Sequence, residues 1–328
     1  MNKKYKIAVI GPIPRDHIIT YKGQEISKYG GISHPIFVLS KLFDQKAEII
    51  PVTHIRKIDE PAIKKLLQDL PGVNMQHINS EQDQGDVIEL RFLDQTERVK
   101  SMRAFMNPIT IADVKNILDS DLFLFLPVSD FEVSLNTLKF IKEHTNSTII
   151  FDAHGPTKIM TGLGDRLSKF WIDRDLWLPY IDILKMNRKE TKYCWYKKRY
   201  SLEQLENEIQ LDKNELPNLA RHCFKFGVKA LYITWDIHGC LVYTPDQNGE
   251  PQEHVVEPVE VDNIIDSTGC GDAFAGGLAF GLLTTNDYIK AAQFGNALGA
   301  QCTQGTNHNG FKPYAETIKQ IQQTYQVK

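Results

Sequence analysis

The chain has 328 residues, 42% of them hydrophobic, with 38 basic against 41 acidic side chains and a net charge of −3. This is ordinary globular composition with enough apolar material for a sizeable core, and it lacks the positive field that gathers nucleic acid. Neither nucleic acid nor a membrane is an expected partner: the apolar run after the basic start is only Ile7 to Ile10, too short for a signal segment, and no later run approaches a membrane span.

Five cysteines, Cys194, Cys223, Cys240, Cys270 and Cys302, are odd in number and form no C-x-x-C pair, which fits a reducing, cytoplasmic setting better than a structural zinc or disulfide framework. Ile7 to Ile10 is a short β-branched run, the pattern of a central strand covered on both faces. It ends in Gly11-Pro12-Ile13-Pro14, without the G-x-G-x-x-G of a dinucleotide-binding turn, so a Rossmann oxidoreductase is demoted.

Asp16 follows, then an alternating stretch around Ile18 to Tyr21, then Tyr29-Gly30-Gly31-Ile32. Read locally, Asp16 caps a turn and Gly30-Gly31 is a hinge. Ile36 to Phe43 and Ala62 to Leu70 recur as helices, the second after Pro61, a residue suited to a first helical position. Val87 to Leu93 puts Ile88, Leu90 and Phe92 on one side and Glu89 and Arg91 on the other. With a turn at Asp94-Gln95-Thr96 into Arg98 to Met102, it reads as a hairpin with one apolar face.

Leu122 to Leu126 and Ser147 to Asp152 are two further buried strands, each preceded by a helical pattern, so the alternation predicts a parallel sheet with active residues at its C-terminal ends. Asp152-Ala153-His154 stands at such an end, where His154 serves equally well as a substrate contact or a structural histidine. Gly155 to Tyr180, rich in Phe170, Trp171 and Trp177, receives no chemical assignment. Asn187 and Glu190, three apart at a helix start, share one face and suit a hard cation; the same spacing is a capping box, and both readings hold together. Ala230 to Thr234 is a buried strand, and Phe294 to Ala300 a small-residue helix.

The chemistry concentrates in Asp266-Ser267-Thr268-Gly269-Cys270-Gly271-Asp272, which runs into the apolar stretch Ala273 to Leu283. Two glycines between aspartates read as a tight loop opening a buried helix, whose first N–H groups favour an anion. Asp272 at the helix head then suits a base beside that anion, which is phosphoryl-transfer logic. The loop resembles the second signature of the ribokinase-like (PfkB) carbohydrate kinases, usually D-T-x-G-A-G-D, with Ser267 and Cys270 as the only differences.

That resemblance implies a ribokinase-like α/β fold: a doubly wound, mostly parallel sheet flanked by helices, as a single domain over 1–328. A small β-sheet lid would come from about 16–30 and 86–103, the alternative for the hairpin being an ordinary place at the edge of the main sheet, and in some relatives such a lid pairs two subunits. It further implies a kinase moving the γ-phosphoryl of MgATP to a hydroxyl of a sugar-like small molecule. Asp272 would be the base and Gly269, Cys270 and Gly271 the anion cradle. Asp16, Gly30, Gly31 and His34 would hold substrate.

Asn187 and Glu190 would organise phosphate and Mg2+, the latter through water; Thr234, Gly239 and Asn296 would line the nucleotide site, closed by Gly305. Asp266 and Thr268, with carbonyls of 301–307, would form the K+ site some relatives have. The chain departs from the family pattern at Pro35, where Asn is usual, so that either His34 or Ser33 substitutes or the substrate is unusual, and at Asp236, which replaces the first glycine of T-x-G-x-x-G. A nucleoside kinase of the same fold and a sugar- or nucleotide-binding regulator with little turnover are the alternatives.

Overall fold

The structure is a computed structural model that describes residues 4–93, 98–195, 212–306 and 308–325. Its main sheet, among the described residues, has nine strands: β1 (Tyr5–Ile10), β4 (Ala47–His54), β5 (Ile78–Asn79), β8 (Leu122–Phe125), β9 (Thr148–Asp152), β12 (Ile183–Asn187), β13 (Ala230–Thr234), β14 (Cys240–Pro245) and β15 (Pro251–Val256). Their order is β15-β14-β13-β12-β9-β8-β1-β4-β5; only the β13-β14 and β14-β15 pairings are antiparallel.

The run Ile7 to Ile10 is continuously apolar because alternate side chains enter two different cores. Ile7 and Val9 meet the helices Ser33–Phe43, Cys270–Thr285 and Tyr288–Thr303, while Ala8 and Ile10 join the layer of Leu138, Ile141, Leu219 and Cys223 on the opposite face. Burial on both faces is what a parallel sheet requires, and full burial of one such side chain is worth roughly 1.5–3 kcal/mol.

A second sheet of four strands stands apart, in the order β3-β2-β6-β7: β2 (Arg15–Ile19), β3 (Glu25–Tyr29), β6 (Val87–Phe92) and β7 (Arg98–Ala104). Asp16 therefore lies within a strand, paired with Lys28 on one side and Ile88 on the other, and does not cap a turn. The expected turn at Asp94-Gln95-Thr96 lies outside the described residues.

Other boundaries move for identifiable reasons. The helix expected over 62–70 runs Glu60–Leu67, because the chain turns into Pro71-Gly72, where Gly72 has φ +76° and its hydrogen side faces the Ala47 carbonyl. The helix expected over 294–300 extends from Tyr288 to Thr303, started by the Asp287 carboxylate, which accepts the N–H of Ile289 and Lys290 at 2.8 and 3.0 Å. The aromatic stretch 155–180 forms a hairpin of β10 (Lys158–Met160) and β11 (Arg166–Ser168), then turns inward so that Trp171 and Trp177 pack on Phe151 beneath the sheet.

Candidate active site

A cavity of about 820 Å³ opens at the C-terminal ends of β1, β9, β12 and β13, between the main sheet and the four-stranded one. From the smaller sheet come Asp16 and, beyond β3, Gly30 and Gly31. Gly31 has φ +56°, and a Cβ there would meet Pro14 Cδ at 2.7 Å and the Pro12 carbonyl; a Cβ on Gly30 would sit 3.2 Å from Asp16 Oδ2. The glycine pair thus lets the loop fold back over the Asp16 carboxylate. His34, in the first turn of the following helix, faces the cavity and lies against Gly269, which has φ +83° and no room for a Cβ under the imidazole. Burial lowers the His34 pKa, so the ring is a neutral wall of the site.

Pro35 does not face the cavity. Its Cα would be 2.9 Å from a Cβ on Gly276, so the residue that replaces the usual amide packs between two helices. Ser33 turns away as well, donating to the Gly30 carbonyl at 2.8 Å and sharing a hydrogen bond with His308.

Gly269, Cys270, Gly271 and Asp272 all line the cavity where the 16-residue Cys270 helix begins. The N–H groups of that first turn have no partner within the helix and carry its positive dipole end. Burial, with Asp152 and Glu190 adding to it, raises the Asp272 pKa to about 7 against the pull of Lys185 and Arg166. A carboxylate poised near neutrality beside unpaired amides is suited to take a proton while negative charge builds next to it.

The floor contains groups that the sequence did not single out. Lys185, on β12, forms a buried ion pair with Asp152 of β9 at 2.8 Å, and its ammonium would lie 3.1 Å from a Cβ on Gly271. Burial acts against the charged Lys185, but Asp152, Glu190 and Asp272 outweigh it and raise its pKa. Arg166, from the β10–β11 hairpin, donates to the Val128 carbonyl and to His154 Nε2 and reaches the cavity wall. His154 is therefore neutral, with Nδ1–H donating to Glu190 at 2.6 Å. Lys185 could have been suspected from its place two residues before Asn187; nothing in the sequence ties Arg166, across a hairpin, to this cavity.

Glu190 is held on every side: Oε1 accepts from Asn187 Nδ2 at 2.7 Å as well as from His154, and Oε2 accepts the Asn187 N–H at 2.8 Å. Burial would raise its pKa, but His154, Lys185 and the Asn187 N–H hold it at about 2. Asn187 Oδ1 in return accepts the Glu190 N–H at 2.9 Å, so the capping reading and the cavity-lining reading coincide. With its oxygens already engaged, Glu190 suits Mg2+ through water. Among the described residues no group of three or more His, Cys, Asp or Glu is placed to hold a metal ion.

Thr234, Asp236, Gly239 and Asn296 line the far end. Asp236 is exposed at φ +46°, a left-handed conformation that aspartate tolerates better than most side chains, so its backbone does what a glycine would while adding a carboxylate. Gly239, at φ +79°, hugs the Val256 carbonyl. Asn296 Nδ2 donates to the Val256 and Glu257 carbonyls at 3.1 and 2.8 Å and so fixes this wall.

One expectation is corrected. Gly305 lies against the Gly310 backbone and not on the cavity. Asp266 also stays off the cavity wall, with Oδ1 accepting the Thr268 N–H at 2.9 Å. Its Oδ2 pairs with Lys28 of β3 at 3.2 Å; Asn307, at the end of the carbonyl set named for a monovalent cation, lies outside the described residues. Thr268 itself lines the cavity.

Residues 157–313 match the model of the pfkB family of carbohydrate kinases. That stretch, just under half of the chain and including the Asp266 to Asp272 loop, is similar to the pfkB kinases. A relative from Archaeoglobus fulgidus, described as an uncharacterized sugar kinase, is 28% identical over 171 residues, 52% of this chain and 55% of its own. The chain thus spans about half the length of that curated relative. A pyrophosphate-dependent kinase in the ribokinase family, solved with sulfate, superposes with a TM-score of 0.71 at 19% identity, covering 95% of this chain and 99% of that one. The nucleoside kinase of Burkholderia thailandensis in complex with inosine gives 0.71 at 17% identity, with 98% and 99% covered. At these identities the two structures speak for a shared ribokinase fold, which extends over 95–98% of this chain.

Proposed function

We propose that this chain is a single kinase domain, 1–328, that transfers the γ-phosphoryl group of MgATP to a hydroxyl of a sugar or sugar-like molecule, with the four-stranded sheet as its lid. One observation carries the reading: Asp272, the Gly269 to Gly271 turn at the helix N-terminus and Lys185 line the same cavity as Asp16, Gly30 and Gly31 from the smaller sheet. Base, anion cradle and acceptor grip are then within one ligand's reach.

In this reading Asp16 accepts hydrogen bonds from acceptor hydroxyls, and the Gly30-Gly31 backbone lets them approach. Asp272 takes the proton of the reacting hydroxyl. The first-turn N–H groups and Lys185 offset the negative charge of the moving phosphoryl group. Asn187 and Glu190 hold the water shell of Mg2+, which supplies charge neutralisation on the donor phosphates. At the far end, Val259, Val261 and Ile264 beside Gly299 and Ala300 offer a small-residue apolar slot of the kind a purine base fills.

A donor without a base, pyrophosphate, is the second reading. It is favoured by Asp236, whose exposed carboxylate narrows and charges the end of the cavity where a nucleotide would extend. The test is a panel of sugars, sugar acids and nucleosides offered with MgATP or with magnesium pyrophosphate, following ADP or inorganic phosphate release that depends on the acceptor. Acceptor-dependent ADP release supports the first reading and phosphate release from pyrophosphate the second. Acceptor binding by calorimetry with neither product would leave a binding protein and overturn both.

A further inference from the structure

Asp59 is buried at the start of the Glu60–Leu67 helix, a few residues beyond β4, yet its carboxylate makes no cap hydrogen bond to that helix. It turns instead toward the root of the smaller sheet. Oδ1 accepts the Tyr29 hydroxyl at 3.0 Å and lies 3.5 Å from Arg15 Nη1, while Oδ2 accepts from Arg56 Nε at 2.7 Å. Arg15 opens β2 and Tyr29 closes β3, and the two are register partners across that pair of strands. One carboxylate beside the main sheet thus holds both strands at the same level.

The residues that follow these two anchors are the ones that meet the cavity: Asp16 after Arg15, and Gly30 after Tyr29. Successive strand residues face opposite sides, so Arg15 and its cross-strand neighbour Tyr29 point away from the side on which Asp16 enters the cavity. Neither they nor Asp59 and Arg56 line it. The grip itself is tight, since a Cβ on Gly30 would sit 3.2 Å from Asp16 Oδ2, and a small tilt of either strand changes the gap that a ligand hydroxyl meets. Two guanidiniums share the Asp59 carboxylate, and Arg15 Nε and Arg56 Nη2 are buried without a hydrogen-bond partner among the described residues. Asp59 is therefore the group on which the anchoring turns.

We propose that Asp59 is a positioning residue for the acceptor, acting from outside the cavity by anchoring Arg15 and Tyr29 so that Asp16 and Gly30 keep their spacing. The inference rests on the acceptor site proposed above and adds what holds that site in shape. Weakening the anchor loosens acceptor binding and leaves the chemical step as it was.

The experiment offers D-ribose, D-fructose, D-gluconate and adenosine, each with MgATP and with magnesium pyrophosphate, to wild type, Asp59→Asn, Tyr29→Phe and the double variant. ADP or phosphate release is followed, and circular dichroism verifies folding. For an acceptor that wild type uses, each single variant should raise the acceptor KM roughly 3–10-fold, the scale of one hydrogen bond. The kcat and the donor KM should stay unchanged. The double variant should raise the acceptor KM by less than the product of the two single effects, because both act through Asp59 Oδ1. In the ligand-free protein, Asp59→Asn should quicken amide hydrogen exchange across β2 and β3 and leave β1 and β8 as they are. An unchanged acceptor KM, an equal rise in donor KM, a fall in kcat with both KM values intact, a fully multiplicative double variant or unaltered exchange in β2 and β3 overturns this inference alone. Wild type that releases neither product with any of the four acceptors overturns the kinase reading and this inference with it.

Discussion

Asp272 is where the sequence and the folded environment contribute most unequally. Placed at a helix head it would ordinarily be a low-pKa carboxylate, yet burial with Asp152 and Glu190 nearby lifts it to about 7 in spite of Lys185 and Arg166. The base has to be ionised to work, so kcat/KM for phosphoryl transfer should climb with pH and level off above about 7, as a pH–rate series would read. Asp272→Asn should lose roughly the 10²–10⁴-fold typical of general acid–base catalysis while still binding the donor by calorimetry.

Stability should respond in the opposite sense. A carboxyl whose folded pKa is raised contributes stability below its unfolded value near 3.8, and that contribution is lost as pH rises through about 7. The Asn variant should therefore gain Tm relative to wild type above pH 7 and show no such gain below 3.8. A constant Tm difference across that range would contradict a desolvated carboxylate that Lys185 and Arg166 compensate only in part.

The Cys270 and Tyr288 helices show how glycine spacing sets the distance between elements. A Cβ on Gly281 would lie 2.5 Å from Ala291 Cα and one on Gly277 2.7 Å from the Phe294 carbonyl oxygen, and both obstacles are backbone that cannot turn aside. Although alanine is favoured over glycine within a helix by about 1 kcal/mol, Gly281→Ala should destabilise the chain by roughly 1–3 kcal/mol through overpacking, measured by urea unfolding. An unchanged or higher midpoint would mean that the helices can separate freely.

Across the whole molecule, the Lys28–Asp266 pair links the smaller sheet to the anion loop over 238 residues of sequence. Both side chains are partly exposed, so the pair is expected to add no more than about 1 kcal/mol to stability. Its effect should appear instead in how the sheet meets the acceptor: Lys28→Met should raise the acceptor KM severalfold with kcat and Tm nearly unchanged. A fall in kcat with KM intact would place Lys28 in the chemistry and not in the lid. Among the described residues no helix is long and apolar enough to cross a membrane.

Local patterns sufficed for the central strands, the Asp266 to Asp272 loop and the Asn187–Glu190 turn, because the physics of each is short-range: β-branched runs buried on two faces, glycine freedom, a cap three residues away. They even indicated which loops share the C-terminal edge of the sheet. What they could not convey is the neighbourhood created when distant segments meet. Only the folded chain brings Lys185 onto Asp152, sends Arg166 from the β10–β11 hairpin to His154, turns Pro35 into helix packing, and sets Lys28 beside Asp266. Charge and burial in a cleft depend on what faces a group across the cavity, and that is a property of tertiary contact that no spacing along the chain encodes.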